Sequence, residues 1–330
     1  MEIGFFFWPY TVELCERLAR AADRYGYAMI GIADTPGNAM DPWVAATVVA
    51  QASRHAKVAI CVTNLVSRHP AVSAAAIASL DLVSGSRAVL GIGAGHSGTK
   101  NLGLGRANAN ELADGVAFIK TALAGKPAQL GQANTQLPWI KRTPPVFLAA
   151  SHPRPLHAAG RVADGAFVNY GLGADNIAQS TADIIAGATA AGRLPSDIEI
   201  WQIAALDCTE DRAIARRKIG AILAFVTGYV IGEKNLETRG VPDHLREPLL
   251  ELRRRYSTRP GEADIALVEE LGLFDYLSRR LAVCGNPDDC LAQTRAAKAA
   301  GASRLMFTVS LADDPVRTVE LFGEHVLPHV

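Results

Sequence analysis

Short apolar, β-branched runs recur along this chain, and each is followed by a longer segment whose apolar residues return at helical spacing. The runs fall at Ile3 to Phe7, Tyr27 to Ala33, Val58 to Thr63, Ala88 to Ile92, Val146 to Ala150, Gly165 to Asn169, Ile198 to Leu206 and Arg304 to Val309. The intervening pattern predicts helices over Thr11 to Arg24 with Thr11 as N-cap, from Asp41-Pro42 onward, and over Ala71 to Val83 and Ala109 to Leu123. Further helices are predicted after Ser151-His152-Pro153 to near Val162, and over Ala174 to Ala191, Asp288 to Ala300 and Pro315 to Leu327. Eight such alternations specify an α/β fold, a (β/α)8 TIM barrel spanning residues 1–330 as one domain. The GxG after the fourth run lacks the spacing and acidic partner of a dinucleotide fingerprint, which argues against a doubly wound sheet.

Two stretches break the alternation. Lys126 to Thr143 is polar, aperiodic and bounded by prolines, and reads as a surface excursion. Residues 213–281 are helical in pattern with no convincing strand, so a helical insertion lies between strands seven and eight. It carries Phe225, Tyr229, Tyr256, Phe274 and Tyr276, and is open to two readings: a cover over the strand ends or a dimer surface.

In parallel α/β structures ligands sit beyond the carboxyl ends of the strands, so the residues just after each run are the candidate site. After the third run come Asn64, Arg68 and His69, and after the fourth a loop of glycines and hydroxyls from Gly93 through Gly95, His96 and Ser97 to Lys100. Such a loop lets backbone N–H groups approach an anion, although it equally describes a tight turn. Asp34 ends the second run, where a carboxylate either holds loop backbone or reaches into a site. Ser151 follows the fifth run as a helix cap or an anion ligand. His96 is either a proton donor, since histidine titrates near neutrality, or an exposed loop residue without a role.

Composition narrows the classes. Lys and Arg number 33 against 33 Asp and Glu, without long single-sign runs, which argues against a nucleic-acid partner. The basic stretches RRKIG and LRRRYSTRP read as solvated helix faces. Five cysteines, Cys15, Cys61, Cys208, Cys284 and Cys290, are scattered without CxxC spacing and fit a reducing cytoplasm better than a disulfide framework or a zinc site. MEIGFFFWPY lacks a basic n-region and a cleavage site and reads as the first strand, and no run nears the ~18 to 20 apolar residues that span a bilayer. A soluble protein with no membrane partner is expected. No nucleophile elbow, HxH, HExxH or carboxylate cluster is present in the sequence, so no metal is expected and the chemistry is assigned to a bound organic cofactor.

The stretch TNLVSRHPAVSAAAIASLDLVSGSRAVLGIGAG resembles the corresponding segment of the bacterial luciferase-like monooxygenase superfamily. Within it the nearest likeness is to the F420-dependent methylenetetrahydromethanopterin reductase branch, where TN…RHP…A…A…LD…SGGR…LGIG.G recurs. ARAADRYGYAMIGIAD (Ala19 to Asp34), PPVFLAASHPRPLHAAGRVADGAFVN (Pro144 to Asn169) and CGNPDDCLAQTRAAKAAGASRLMF (Cys284 to Phe307) match the family in the same order, leaving out only about Phe225 to Leu281.

The resemblance implies a (β/α)8 barrel binding F420 or FMN, F420 being favoured, at Cys61, Val62, Thr63, Asn64, Arg68, Gly93, Gly95, Ser97, Ser151 and Asn169, with His96 and Asp34 as catalytic residues. It also implies a non-prolyl cis peptide between Cys61 and Val62, a bulge that would support one face of the cofactor ring. The resembled reductases carry an acidic residue on the first strand and another after their GIGPG motif; here those positions are Phe6 and His96, which argues against a pterin substrate. Phe5, Phe6, Phe7 and Trp8 alternate across the first strand, so some face the core and others a site suited to an apolar or aromatic substrate. The expected activity is hydride transfer between reduced F420, or FMN, and a small organic substrate. Its rivals are an FMN-dependent monooxygenase served by a separate reductase and a cofactor-binding barrel without turnover. A homo-oligomer is expected.

Overall fold

The structure, a computed structural model, describes residues 1–232, 236, 237 and 239–330. Its main strands are β1 (Glu2–Phe7), β2 (Met29–Ile32), β3 (Lys57–Asn64), β4 (Ala88–Gly93), β5 (Val146–Ala150), β6 (Gly165–Val168), β7 (Glu199–Cys208) and β8 (Arg304–Thr308). Successive strands from β1 to β6 pair in parallel. β7 pairs in parallel with β8, and pairings of β8 with β1 and of β6 with β7 complete the cycle. The sheet is the (β/α)8 barrel that the alternation specifies. β2, β4 and β6 are buried along their whole length, as parallel strands covered on both faces must be.

The chain comprises two compact units. The first is Gly4–Val168 with Ser180–Trp201. Its helices begin where short polar side chains occupy the orphan N–H groups of the first turn: Thr11 Oγ1 accepts from Leu14 N at 3.1 Å, Asp41 Oδ1 from Trp43 N at 2.9 Å, and His69 Nδ1 from Ala71 N at 3.2 Å. Arg87 satisfies the opposite problem. Its guanidinium makes five hydrogen bonds, to Ser84 O, Ser53 Oγ, Ala56 O, Ala50 O and Ser53 O, and so ties the C-terminal carbonyls of helix Pro42–Ala52 to the starts of β3 and β4.

Local pattern fails in two places in this unit. Lys126 to Thr143 carries an antiparallel hairpin, Ala128–Leu130 with Ala133–Thr135, whose three-residue strands are too short for alternation to register. Ser97–Asn101 forms a one-turn helix where only a loop was expected.

β3 and β4 approach each other unusually closely. Their register shifts between Ile60 and Thr63. A methyl built on Gly91 would lie 2.5 Å from the Ile60 carbonyl and 2.6 Å from Val62 Cγ1, and one on Gly93 would lie 2.9 Å from Val62 Cγ2. Glycine is therefore required by contact at both positions. Gly91→Ala is expected to destabilise the fold by about 1–3 kcal/mol, the usual range for overpacking; denaturant unfolding measures it, and an unchanged midpoint would show that the seam can open.

The second unit is Met1–Ile3, Asn169–Gln179 and Gln202–Val330. Between β7 and β8 it holds helices Arg212–Val230, Arg246–Arg255, Glu262–Glu270 and Phe274–Leu281. A short strand that periodicity did not reveal, Ala282–Gly285, then pairs with Ala205–Cys208 of β7. The basic stretches are only partly solvated faces. Arg254 and Arg255 make exposed ion pairs with Glu251 and Glu270, whereas Arg253 Nη1 donates to the Gly228 and Ile231 carbonyls at 2.8 Å each and caps helix Arg212–Val230. All five cysteines are buried and free.

Asp207, on β7, is buried with its carboxylate accepting from Asp313 N and Thr318 Oγ1, each at 3.2 Å. Burial pushes its carboxyl up to about 7. A carboxyl raised in the folded state stabilises the fold below its unfolded value, and that contribution is lost as pH rises through the folded one. Unfolding midpoints are therefore expected to fall between about pH 4 and about pH 7, and to fall less in Asp207→Asn; equal pH dependence in the two proteins would contradict this.

Candidate functional site

Within the first unit the carboxyl ends of β2, β3 and β4 converge on Asp34. Thr63, fully buried near the end of β3, donates from Oγ1 to Asp34 Oδ2 at 2.6 Å. Burial raises the Asp34 carboxyl above its ordinary value; the Thr63 hydrogen bond and the charge of Arg68 pull it back, while Asp41 pushes it up. Asp34 is thus tied to the end of β3, with a carboxyl held above its ordinary value by burial.

Two loops close around this pair. Asn101 Nδ2 donates to Pro36 O at 3.0 Å and to Asn38 Oδ1 at 2.9 Å. The Thr35 and Ser97 hydroxyls lie 3.4 Å apart, and a methyl on Gly98 would stand 3.0 Å from the Asp34 carbonyl. These tethers join segments 62 to 65 residues apart, and sequence reading missed them because nothing local marks a partner at that range. His96 occupies the N-cap position of helix Ser97–Asn101; its carbonyl accepts from Lys100 N at 2.8 Å and its side chain does not cap the helix. Gly95 has φ +90°, a left-handed conformation that favours glycine, and any Cβ there would meet Thr99 Cγ2 at 2.5 Å.

The peptide bond between Cys61 and Val62 is cis, as expected. Burial pushes the Cys61 thiol well up, so this residue offers backbone rather than a thiolate. Asn64 turns its Oδ1 to the chain itself, accepting from Val66 N at 2.9 Å and Ser67 N at 2.8 Å, and thereby shapes the loop after β3. Arg68 donates to Asp41 Oδ2 at 3.3 Å and lies 5.4 Å from the centroid of the Trp43 ring. Ser151 follows β5 but is not the helix cap: the N-cap residue of Pro153–Val162 is His152. In β1, Phe5 packs edge-on against Tyr27 at 5.0 Å and is fully buried, while Phe6 on the opposite face is half-buried. Asn169, in the second unit, donates from Nδ2 to the Tyr229 hydroxyl at 2.8 Å.

The first-unit residues supply a carboxyl, an imidazole, hydroxyls and bare glycine backbone. They can hold or move a proton and bind an anion. Among the described residues no group of His, Cys, Asp and Glu is arranged to hold a metal ion. The fit to a phosphate-bearing cofactor rests on the donor set: the segments that follow β4 and β5 offer the backbone of Gly93 and Gly95 and the hydroxyls of Ser97 and Ser151, groups suited to an anion.

Residues 11–304 match the model of the luciferase-like monooxygenase family. The 5,10-methylenetetrahydromethanopterin reductase of Methanolobus tindarius is 25% identical over 326 residues, covering 94% of each chain. The coenzyme F420-dependent tetrahydromethanopterin reductase of Methanopyrus kandleri superposes with a TM-score of 0.80 at 22% identity, over 100% of this chain and 99% of that one. The oxygenating constituent of 3,6-diketocamphane monooxygenase from Pseudomonas putida, solved with FMN, superposes at 0.68 with 20% identity over 100% and 99%. No described helix is long and apolar enough to cross a membrane. The chain belongs to the luciferase-like monooxygenase family and is one of its oxidoreductases.

Proposed function

We propose that this oxidoreductase binds F420 non-covalently at the carboxyl ends of β2 to β5 and transfers a hydride between the reduced cofactor and a small organic substrate. The observation that carries this is the seam where Val62 lies against Gly91 and Gly93 beside the Asp34–Thr63 pair, which leaves backbone rather than side chain at the end of β4. The F420-dependent Methanopyrus reductase supports the choice of cofactor. When bound, reduced F420 supplies the hydride.

The chain's own residues then have defined tasks. Gly93, Gly95, Ser97 and Ser151 hold the cofactor through N–H and hydroxyl groups, with Cys61, Val62 and Thr63 lying along one side of it. Asn64 keeps its loop in shape, and Arg68 stands as a further polar contact. His96 and Asp34 manage a proton at the substrate oxygen or nitrogen that gains or loses one as the hydride moves. The substrate is small and apolar or aromatic rather than a pterin, because Phe6 and His96 stand where the resembled reductases carry acids. The FMN-bound camphane monooxygenase favours a second reading, an FMN-dependent oxygenase supplied by a separate reductase. A homo-oligomer in the cytoplasm suits either activity.

Fluorescence titration of cofactor-free protein is expected to give saturable F420 binding. Binding of FMN alone would transfer the protein to the second reading, and binding of neither would leave a barrel without the proposed chemistry. His96→Ala and Asp34→Asn are each expected to lower turnover by about a hundredfold, the lower end of general acid–base effects, with F420 affinity held within a few-fold. Loss of one limb of the pH–rate profile in His96→Ala identifies the proton donor; full turnover with an unaltered profile would remove the residue from the mechanism.

A further inference from the structure

Arg239, in the second unit, is 1% exposed, and its Nε, Nη1 and Nη2 atoms all lack a hydrogen-bond partner among the described residues. Arg87 and Arg253, by comparison, spend their donors on helix-end carbonyls. The Arg239 guanidinium lies 4.6 Å from the centroid of the Tyr170 ring, a favourable cation–π contact. A second arginine stands nearby: Arg280, 7% exposed, donates from Nη1 to the Tyr276 hydroxyl at 2.6 Å and from Nη2 to the Tyr170 carbonyl at 3.4 Å, and its Nε has no partner. Among the described residues the groups acting electrostatically on Arg239 are Arg280, which opposes its charge, and Tyr170, Tyr276 and Tyr229, with no carboxylate among them. Burial and the neighbouring charge hold Arg239 down to about 10, so it remains a cation at neutral pH.

Two cations buried together without an anion are strongly unfavourable, and the penalty is relieved only by a counter-charge that also fills the empty donors. The planar fork of a guanidinium matches an oxyanion in two-point contact. Tyr276, which accepts from Arg280, keeps its own proton to donate.

We propose that Arg239 and Arg280, with the Tyr276 hydroxyl, form a buried binding site for the oxyanion of a carboxylate- or phosphate-bearing small molecule. The site lies in the helical segment between β7 and β8 and in the turn after β6. It does not depend on which cofactor the first unit binds.

The test is calorimetric titration of cofactor-free protein with inorganic phosphate and, separately, with succinate, with thermal melting in parallel. Wild type is expected to bind at least one of the two saturably with one site, and the preferred probe assigns the ligand as phosphate- or carboxylate-bearing. Arg239→Met is expected to weaken that binding at least tenfold and to abolish the anion-dependent rise in melting temperature. Without anion it should melt no lower than wild type, because it removes an uncompensated charge; a merely structural arginine would give a lower melting temperature. Arg280→Met provides a second arm with the same expected loss. Absence of saturable binding of both probes to wild type, or unchanged affinity in Arg239→Met, overturns the assignment. Anion binding by a protein that binds neither F420 nor FMN supports this site and removes only the cofactor reading.

Discussion

The side chain of Val62 pressed against the backbone of β4 is the constraint on which the candidate site depends. Two glycines two residues apart, Gly91 and Gly93, point the same way on the strand and leave room for that side chain. The shifted register between Ile60 and Thr63 is accommodated there, and Thr63 emerges from it directed at Asp34. Small residues at this seam therefore do two things at once. They allow two parallel strands to pack around an irregularity, and they leave peptide groups rather than side chains facing whatever lies beyond β4.

Around that seam the polar groups are nearly all used to fix backbone. Asn64 shapes its own loop, Asn101 and Ser97 reach across to the loop after β2, and Gly98 lies against the Asp34 carbonyl. Asp34 stands apart in that burial raises its carboxyl even as Thr63 donates to it, and under the proposed function it also manages a proton. A rigid surround of this kind is what acid–base chemistry needs, since a proton donor works only at a held distance.

Much of the architecture could be read from the chain because a strand buried on both faces is an uninterrupted apolar run, and eight of them alternate with amphipathic segments. The helix starts at Thr11 and Asp41 could be read because capping is local chemistry, whereas the His69 cap of helix Pro70–Val83 was not. The hairpin strands, Ala282–Gly285 and the helix Ser97–Asn101 escaped because each is too short for its period to repeat recognisably. The candidate residues at the ends of β2, β3 and β4 were found by the rule that strands end at the site, yet their partners were not. Ser97 meeting Thr35 depends on closure of the sheet and leaves no local trace, and of the two readings open for Ser151 the cap falls away because the N-cap residue is His152. Arg239 was invisible for the same reason: a single arginine in a helical stretch looks solvated until packing encloses it.

The order of the strands around the barrel also has a temporal side. The Glu2 N–H bonds to the Ser303 carbonyl, and Arg304 pairs with Glu2, so β1 finds its second neighbour only when β8 is present. During synthesis β1 to β6 can assemble on one another in turn, each new strand meeting an edge already formed. Until some 300 residues later, β1 presents an unpaired edge to the cell, the kind of exposure that invites association with other chains. A nascent chain stalled after β7 would therefore be a client for chaperones, however complete its first unit had become.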